Sequence, residues 1–334
     1  MNPNFQPDVL PLGVVIPTKN SKAYLESHLR GLEPWIHLAA EVVVVDSFSS
    51  DGTVDYIRQN LRHPNIRFFD HPPGLYASWN HGIRQINSPF FFMATTGDIM
   101  RAEGIHELSH AIQFLKSDVV IGKPTFRNLK DQPLPDVTWP IDDIISTLGS
   151  QSRRRLTQLE AIVFTAAHTE GALLGSSASN LYRTDTWKRL PFPTEFGLGG
   201  DGAWAWLHAA EINWAFHAGR FSSFLVHPNN PSANDKHVDR GTRRADEILR
   251  QSMDNWKSNG TVSETLYQQL RWNELMLALQ QYLESKKAFD LQRKGSVPWS
   301  LNPLAWRNRV QRQSARKRLH SLKLSILAGQ KNVY

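Results

Sequence analysis

The amino-acid sequence predicts an α/β fold, a mostly parallel central sheet flanked by helices, followed by a helical C-terminal region. Two observations predict it. Apolar runs at 13–17 (GVVIP), 42–46 (VVVVD), 66–69 and 90–94 are too short for buried helices and end in polar or turn residues, as buried parallel strands do. Between them, apolar residues recur at helical spacing: Leu25, Leu29 and Leu32, then Val54, Ile57 and Leu61, then Leu75, Trp79 and Ile83. Repeated βα units of this kind bind ligands at the carboxyl edge of their sheet.

A fifth strand-like run, 118–122 (DVVIG), ends the βα part, and Pro124, Pro133, Pro135 and Pro140 then break any long element. Residues 141–232 are mixed and hold Trp187, Trp204, Trp206 and Trp214, which read chiefly as core. Beyond Asn234 the pattern is helical, and Gly295, Pro298 and Pro303 set off a basic end. The expected organisation is a βα part over 11–135, a second part of the same fold over 136–235, and a helical, basic extension over 236–334.

Composition, at 40% apolar and 21% charged residues, is that of a soluble globular protein. No run approaches the roughly 20 apolar residues that span a bilayer, and the first residues lack the pattern of a signal peptide, so cytoplasmic residence is expected. With no cysteine, disulfides, thiolate metal sites and cysteine nucleophiles are excluded. The net charge of +7 is local, because residues 291–334 hold ten Lys or Arg and no Asp or Glu. That tail, with Trp299, Leu304, Trp306, Val310, Leu319, Leu322, Leu324, Ile326 and Leu327, suits either the anionic inner face of a membrane or a solvated helix packed on the body. Nucleic acid is not expected, since no recognition motif accompanies the charge.

Four blocks in register carry a resemblance: Val14-Val15-Ile16-Pro17-Thr18-Lys19-Asn20; 42–53 (VVVVDSFSSDGT); Gly74-Leu75-Tyr76-Ala77-Ser78-Trp79-Asn80-His81-Gly82-Ile83; and Phe92-Met93-Ala94-Thr95-Thr96-Gly97-Asp98. Together they resemble the family 2 glycosyltransferases of the GT-A fold, and the third and fourth are most like the colanic-acid and capsular-polysaccharide branch. The resemblance covers 11–125 well and 170–230 loosely. It implies a nucleotide-diphosphate sugar as donor, a saccharide or lipid-linked acceptor, transfer with inversion, and Mg²⁺ or Mn²⁺ as cofactor.

Residue by residue, the resemblance implies that Pro17, Thr18 and Asn20 wall the nucleoside, Asp46 accepts from base or ribose, and Asn80 and Gly82 face the donor. The alternative for Asp46 is an N-cap or Asx-turn acceptor at the strand end, with its place at the sheet edge favouring the ligand, and 51–53 (DGT) reads as a turn into a helix. Thr96, Gly97 and Asp98 fall on the acidic metal motif, whose first carboxylate is absent here; Asp98 is the expected metal ligand, or else a cap for the helix bearing Ile105, Leu108 and Ile112. Gly197-Leu198-Gly199-Gly200-Asp201-Gly202-Ala203-Trp204 matches the segment of the general base, with Asp201 as candidate base or helix cap and Gly200 where an acid is common. His227 matches a position that contacts metal or diphosphate in some relatives, with a satisfied structural histidine the plainer reading; residues 175–183 resemble an acceptor-side strand, which ordinary strand and turn chemistry explains nearly as well. Arg153, Arg154 and Arg155 suit phosphate or, more plainly, solvent.

Two other functions stand beside this one. A nucleotidyltransferase on a related scaffold would need a Gly-rich phosphate loop after the first strand, where Pro17-Thr18-Lys19-Asn20 stands. A catalytically inactive membrane-surface protein of the same fold would account for the missing carboxylate and the basic tail. A dehydrogenase is disfavoured, because no G-x-G-x-x-G follows that strand.

Overall fold

The computed structural model describes residues 9–149, 151–167, 173–227, 244–293 and 303–330. Its first strands, β1 (Leu10–Thr18), β2 (Ala39–Asp46), β3 (Ile66–Asp70) and β4 (Phe90–Met93), fall on the apolar runs, and α1 (Lys22–Leu32), α2 (Thr53–Asn60) and α3 (Leu75–Gln85) on the helical spacings. Strand β1 pairs in parallel with β2 and β4, and β2 with β3. The sheet continues through β6 (Val119–Ile121), β8 (Arg153–Arg155), β9 (Leu181–Arg183) and β10 (Trp214–His217), in the order β3-β2-β1-β4-β9-β6-β10-β8. Only β9 and β8 run against their neighbours.

Alternation along the strands divides the core. Val14, Ile16, Val42 and Val44 pack with α1, α2 and α4 (Ala102–Phe114) on one face. Val15, Val43 and Val45 face α3 and, beyond it, α5 (Pro140–Leu148), α6 (Gln158–Ala167), α7 (Thr184–Arg189) and α8 (Gly200–His208). Trp187 and Trp204 stack in that second layer with centroids 4.2 Å apart, buried like Trp206 and Trp214.

A second sheet joins three short strands, β5 (Ile99–Met100), β11 (Ser222–Leu225) and β7 (Thr125–Arg127), with β11 central, antiparallel to β5 and parallel to β7. Residues two to four long leave too little pattern for a strand to be read, and this sheet was not foreseen. It fastens the segment after β4 to the segment after β10.

The C-terminal helices are α9 (Ala245–Ser258), α10 (Glu264–Gln269), α11 (Trp272–Arg293) and α12 (Pro303–Gln330). The boundary expected at 235/236, Trp299 and the segment between α11 and α12 lie outside the described residues. Helix α12 packs some of the tail's apolar residues on the body. Leu319, Ile326 and Leu327 are buried in the main core, and Lys323 Nζ reaches both carboxylate oxygens of Asp143 on α5 at 2.5 and 2.6 Å. Trp306, Val310 and Leu324 stay exposed. No described helix is long and apolar enough to cross a membrane.

Candidate active site

Strand order reverses at β1, which has β2 on one side and β4 on the other, so the crevice of this sheet lies at the carboxyl ends of β1 and β4. Residues 18–21, 46–53 and 95–98 meet there. A cavity of about 440 Å³ lies elsewhere: Arg155, Gln158, Glu211 and Asn213 line it, and Asn213 precedes β10, which places it at the amino edge. The run Arg153–Arg155 is likewise structural. Arg154 bonds Glu160 at 2.6 Å, and Arg153 approaches Glu107.

At the β1–β2 side the two loops are laced together. Ser47 N donates to Thr18 O at 2.9 Å, Asn20 N donates to Ser49 Oγ at 2.8 Å, and Ser50 N donates to Asn20 Oδ1 at 2.9 Å. Asp46, buried at the end of β2, accepts from Ser49 N at 2.7 Å and Ser49 Oγ at 2.5 Å. The Asx-turn reading of Asp46 is therefore realised, with acceptor capacity left on both oxygens. Thr96 Oγ1 donates to Pro17 O at 3.1 Å, which ties the β4 loop to β1. Thr18 Oγ1 is buried at the switch point with no hydrogen-bond partner among the described residues. Asp51, left outside the expected site, anchors the start of α2 through Thr53 and the start of α1 through Lys22 N.

Asn80 and Gly82, expected at the donor, have structural partners. Asn80 bonds both ways with Phe192, Nδ2 to the carbonyl at 2.8 Å and Oδ1 from the amide at 3.0 Å, so it clamps α3 to the segment before α8. Gly82 permits a close approach, but to the sheet: a Cβ there would stand 2.5 Å from Val15 Cγ1 and 3.0 Å from Val45 Cγ2. Both positions hold α3 in place.

Asp98 joins the two sheets. Its carboxylate accepts from Leu225 N at 2.9 Å and from Thr95 Oγ1 at 2.7 Å, and α4 is preceded by Arg101, so the helix-cap reading falls. Gly97 takes a left-handed φ of 102° and its carbonyl accepts from Arg127, a buried guanidinium that also pairs with Asp131. Burial pushes the Asp98 carboxyl up to about 6, against its two hydrogen bonds and the Arg127 charge. Buried His28 bonds Asp98 O at 3.0 Å through Nδ1, and burial lowers its pKa to about 4. His227, just beyond β11, sits 3.3 Å from Tyr24 Oη.

Among the described residues no three His, Asp or Glu side chains gather as a metal cluster. One carboxylate nevertheless fits Mg²⁺, which commonly takes one or two carboxylates and completes its shell with substrate phosphate and water. The cation would offset the desolvation that raises Asp98.

Asp201 lies in the first turn of α8, one residue inside the helix. Its neighbours explain the glycine before it. Tyr76, buried at the start of α3, packs so closely that a Cβ on Gly200 would lie 2.5 Å from the ring, so no acid fits there. The Tyr76 hydroxyl faces both Leu198 O, at 3.2 Å, and the Asp201 carboxylate. Burial again raises the carboxyl to about 6. Tyr182 of β9 adds to the pocket; its hydroxyl accepts from Asn180 Nδ2 at 3.0 Å at the carboxyl edge. The stretch expected as an acceptor-side strand is thus a 3-10 turn, Ser177–Ser179, leading into β9. Ser179 Oγ and Ser222 Oγ of β11 are 2.7 Å apart. This turn links the Tyr182–Asp201 side of the edge to the β11–Asp98 side.

Sequence reasoning missed Arg127 and Tyr76. Arg127 sat in a proline-rich stretch with no visible pattern, whereas Tyr76 was in a quoted motif and could have been found there.

Residues 13–172 match the model of glycosyl transferase family 2. The match covers all four motif blocks and ends before Asp201. Similar solved structures include S. aureus TarS 1-349 in complex with UDP-GlcNAc, at 17% identity over 95% of this chain and 92% of that one, TM-score 0.51. The same fragment in complex with UDP gives 19% identity, 95% and 91% coverage and a TM-score of 0.50; the longer S. aureus TarS gives 19%, 93% and 55%, and 0.50. At such identities the likeness concerns the fold, a GT-A-like α/β domain with a helical C-terminal region. No curated protein matches the chain.

Proposed function

We propose that the protein is a glycosyltransferase that moves a sugar from a nucleotide-diphosphate sugar to an acceptor hydroxyl with inversion, in surface polysaccharide assembly of the colanic-acid and capsular kind. The observation that carries this is the coincidence of the family 2 match with the switch-point crevice, where the matched motifs supply Thr18, Asp46 and Asp98. The TarS structures hold UDP and UDP-GlcNAc, which makes uridine diphosphate sugars the first donors to test.

Asp46 and the β1–β2 loops hold the nucleoside. Asp98 is the carboxylate to hold Mg²⁺ or Mn²⁺, with His227 at the neighbouring strand end; the cation supplies countercharge to the diphosphate. Asp201, ionised above about pH 6, takes the proton of the incoming hydroxyl, and Tyr76 orients it. A saccharide or lipid-linked acceptor enters beside Ser177 and Tyr182.

Helix α12 favours work at the inner, anionic face of a membrane. Trp306, Val310, Lys317 and Leu324 share its outward stripe, flanked by Arg307 and Arg318 on one side and Arg309 and Arg316 on the other, with no acid along the helix. The decisive experiment incubates the purified chain with candidate nucleotide sugars and Mn²⁺ and follows nucleotide release. Release abolished by Asp201→Ala supports the reading. Release unchanged in both Asp98→Ala and Asp201→Ala removes it, and pyrophosphate from a nucleoside triphosphate would put nucleotidyl transfer in its place.

A further inference from the structure

The loop after β2 holds a residue that neither the core nor the proposed chemistry explains. Phe48 has a φ of 57°, the left-handed region that bulky L residues rarely take, and its side chain is 59% exposed. Glycine would adopt that backbone without strain, and a ring so open to water contributes little to packing. The conformation is imposed from both sides. Ser47 donates to Thr18 O and its hydroxyl lies 2.9 Å from Ser78 Oγ, while Ser49 is bonded by Asp46 through both its amide and its hydroxyl. Asn20, itself left-handed at φ 44°, fixes Ser49 and Ser50 from the β1 loop. A loop pinned at every residue around a strained, exposed aromatic ring is a built presentation of that ring.

Phe48 stands two residues beyond Asp46, at the carboxyl end of β2 beside the switch point. We propose that Phe48 is a stacking platform for the nucleobase of the bound nucleotide, and that the Asp46–Ser49 and Asn20–Ser50 bonds exist to hold its ring at the mouth of the crevice. The inference rests on the nucleotide-sugar reading above and adds to it a base-contacting residue. Stacking recognises the π-face that every base carries, so the platform contributes affinity and leaves base identity to hydrogen bonds at Asp46.

The test is calorimetric titration of UDP, UMP, GDP and inorganic pyrophosphate, with Mg²⁺, into the native chain, Phe48→Gly and Phe48→Trp. Phe48→Gly should weaken UDP and UMP by the same factor, about five- to a hundredfold, and leave pyrophosphate unchanged. It should also melt higher than the native chain, because the strain is relieved; Phe48→Trp should restore nucleotide affinity. Native-like UDP affinity in Phe48→Gly overturns the platform while leaving the nucleotide-sugar reading intact. Equal weakening of pyrophosphate overturns it too, since the loop and not the ring would then be at fault. Failure of the native chain to bind any nucleotide overturns both.

Discussion

Burial raises the carboxyls of Asp98 and Asp201 alike, to about 6, but their partners differ. Asp98 is a joint: Leu225 N and Thr95 Oγ1 fasten it between the two sheets, with the Arg127 guanidinium close by. Asp201 lies in the first turn of α8, where its carboxylate accepts from Gly202 N at 2.7 Å and from the Tyr76 hydroxyl. A carboxylate set between two sheets beside a guanidinium suits a cation that arrives with its substrate, and one set in a helix turn beside a hydroxyl suits proton transfer. The contrast teaches that a shared pKa does not imply a shared role; the partners decide it.

The comparison breaks first at Asp201. Asp201→Asn should lower the turnover of nucleotide-sugar cleavage by about 10² to 10⁴, the usual worth of a general base, with nucleotide affinity within twofold of native. Its stability should move the other way. Each carboxyl has a folded pKa above its ordinary 3.8, so the folded state binds the proton more tightly; the charged form costs stability above about pH 6, and the cost fades as pH falls from there toward 4. Thermal melting should therefore show Asp201→Asn more stable than native at pH 7.5, by on the order of 1 to 2 kcal/mol after allowing for partial exposure, and equal near pH 4.

A next effect contrasts the site with the extension. Lys323→Ala strands Asp143 and should cost about 3 kcal/mol, the low end for breaking a buried pair because Asp143 keeps some contact with water, while nucleotide affinity holds. Gly82→Ala forces a methyl against Val15 and Val45 and should cost about 1 to 3 kcal/mol by chemical denaturation. Asp98 supplies the smallest signal. Saturating Mn²⁺ with UDP should stabilise the native chain and Asp201→Asn by about 2 kcal/mol more than UDP alone, an increment absent from Asp98→Asn.

Much of the sheet was legible because β1 to β4 are short, largely apolar runs separated by helices whose apolar residues recur at helical spacing, a pattern long enough to decide itself. Asp46, Asp98 and Asp201 were legible as polar residues just beyond strands or among glycines. The structural partners of Asn80 and Gly82 were hidden, because Phe192, 112 residues away, and Val15, across the layer, leave no local trace. Arg127 and the second sheet were hidden for the same reason: strands of two to four residues are defined by pairing, not by pattern. The tail was half legible. Its charge could be read, but which apolar residues turn inward depends on Asp143 and the core beside it.

The most direct test of the division of labour is the pH dependence of nucleotide-sugar cleavage at saturating donor and Mn²⁺. With the cation in place the Asp98 carboxyl is held ionised, so the rate should rise about tenfold per pH unit up to about 6 and then level, and that limb should vanish in Asp201→Asn while surviving in Tyr76→Phe with a shifted midpoint. A limb near 6 that persists unchanged in Asp201→Asn would contradict the account.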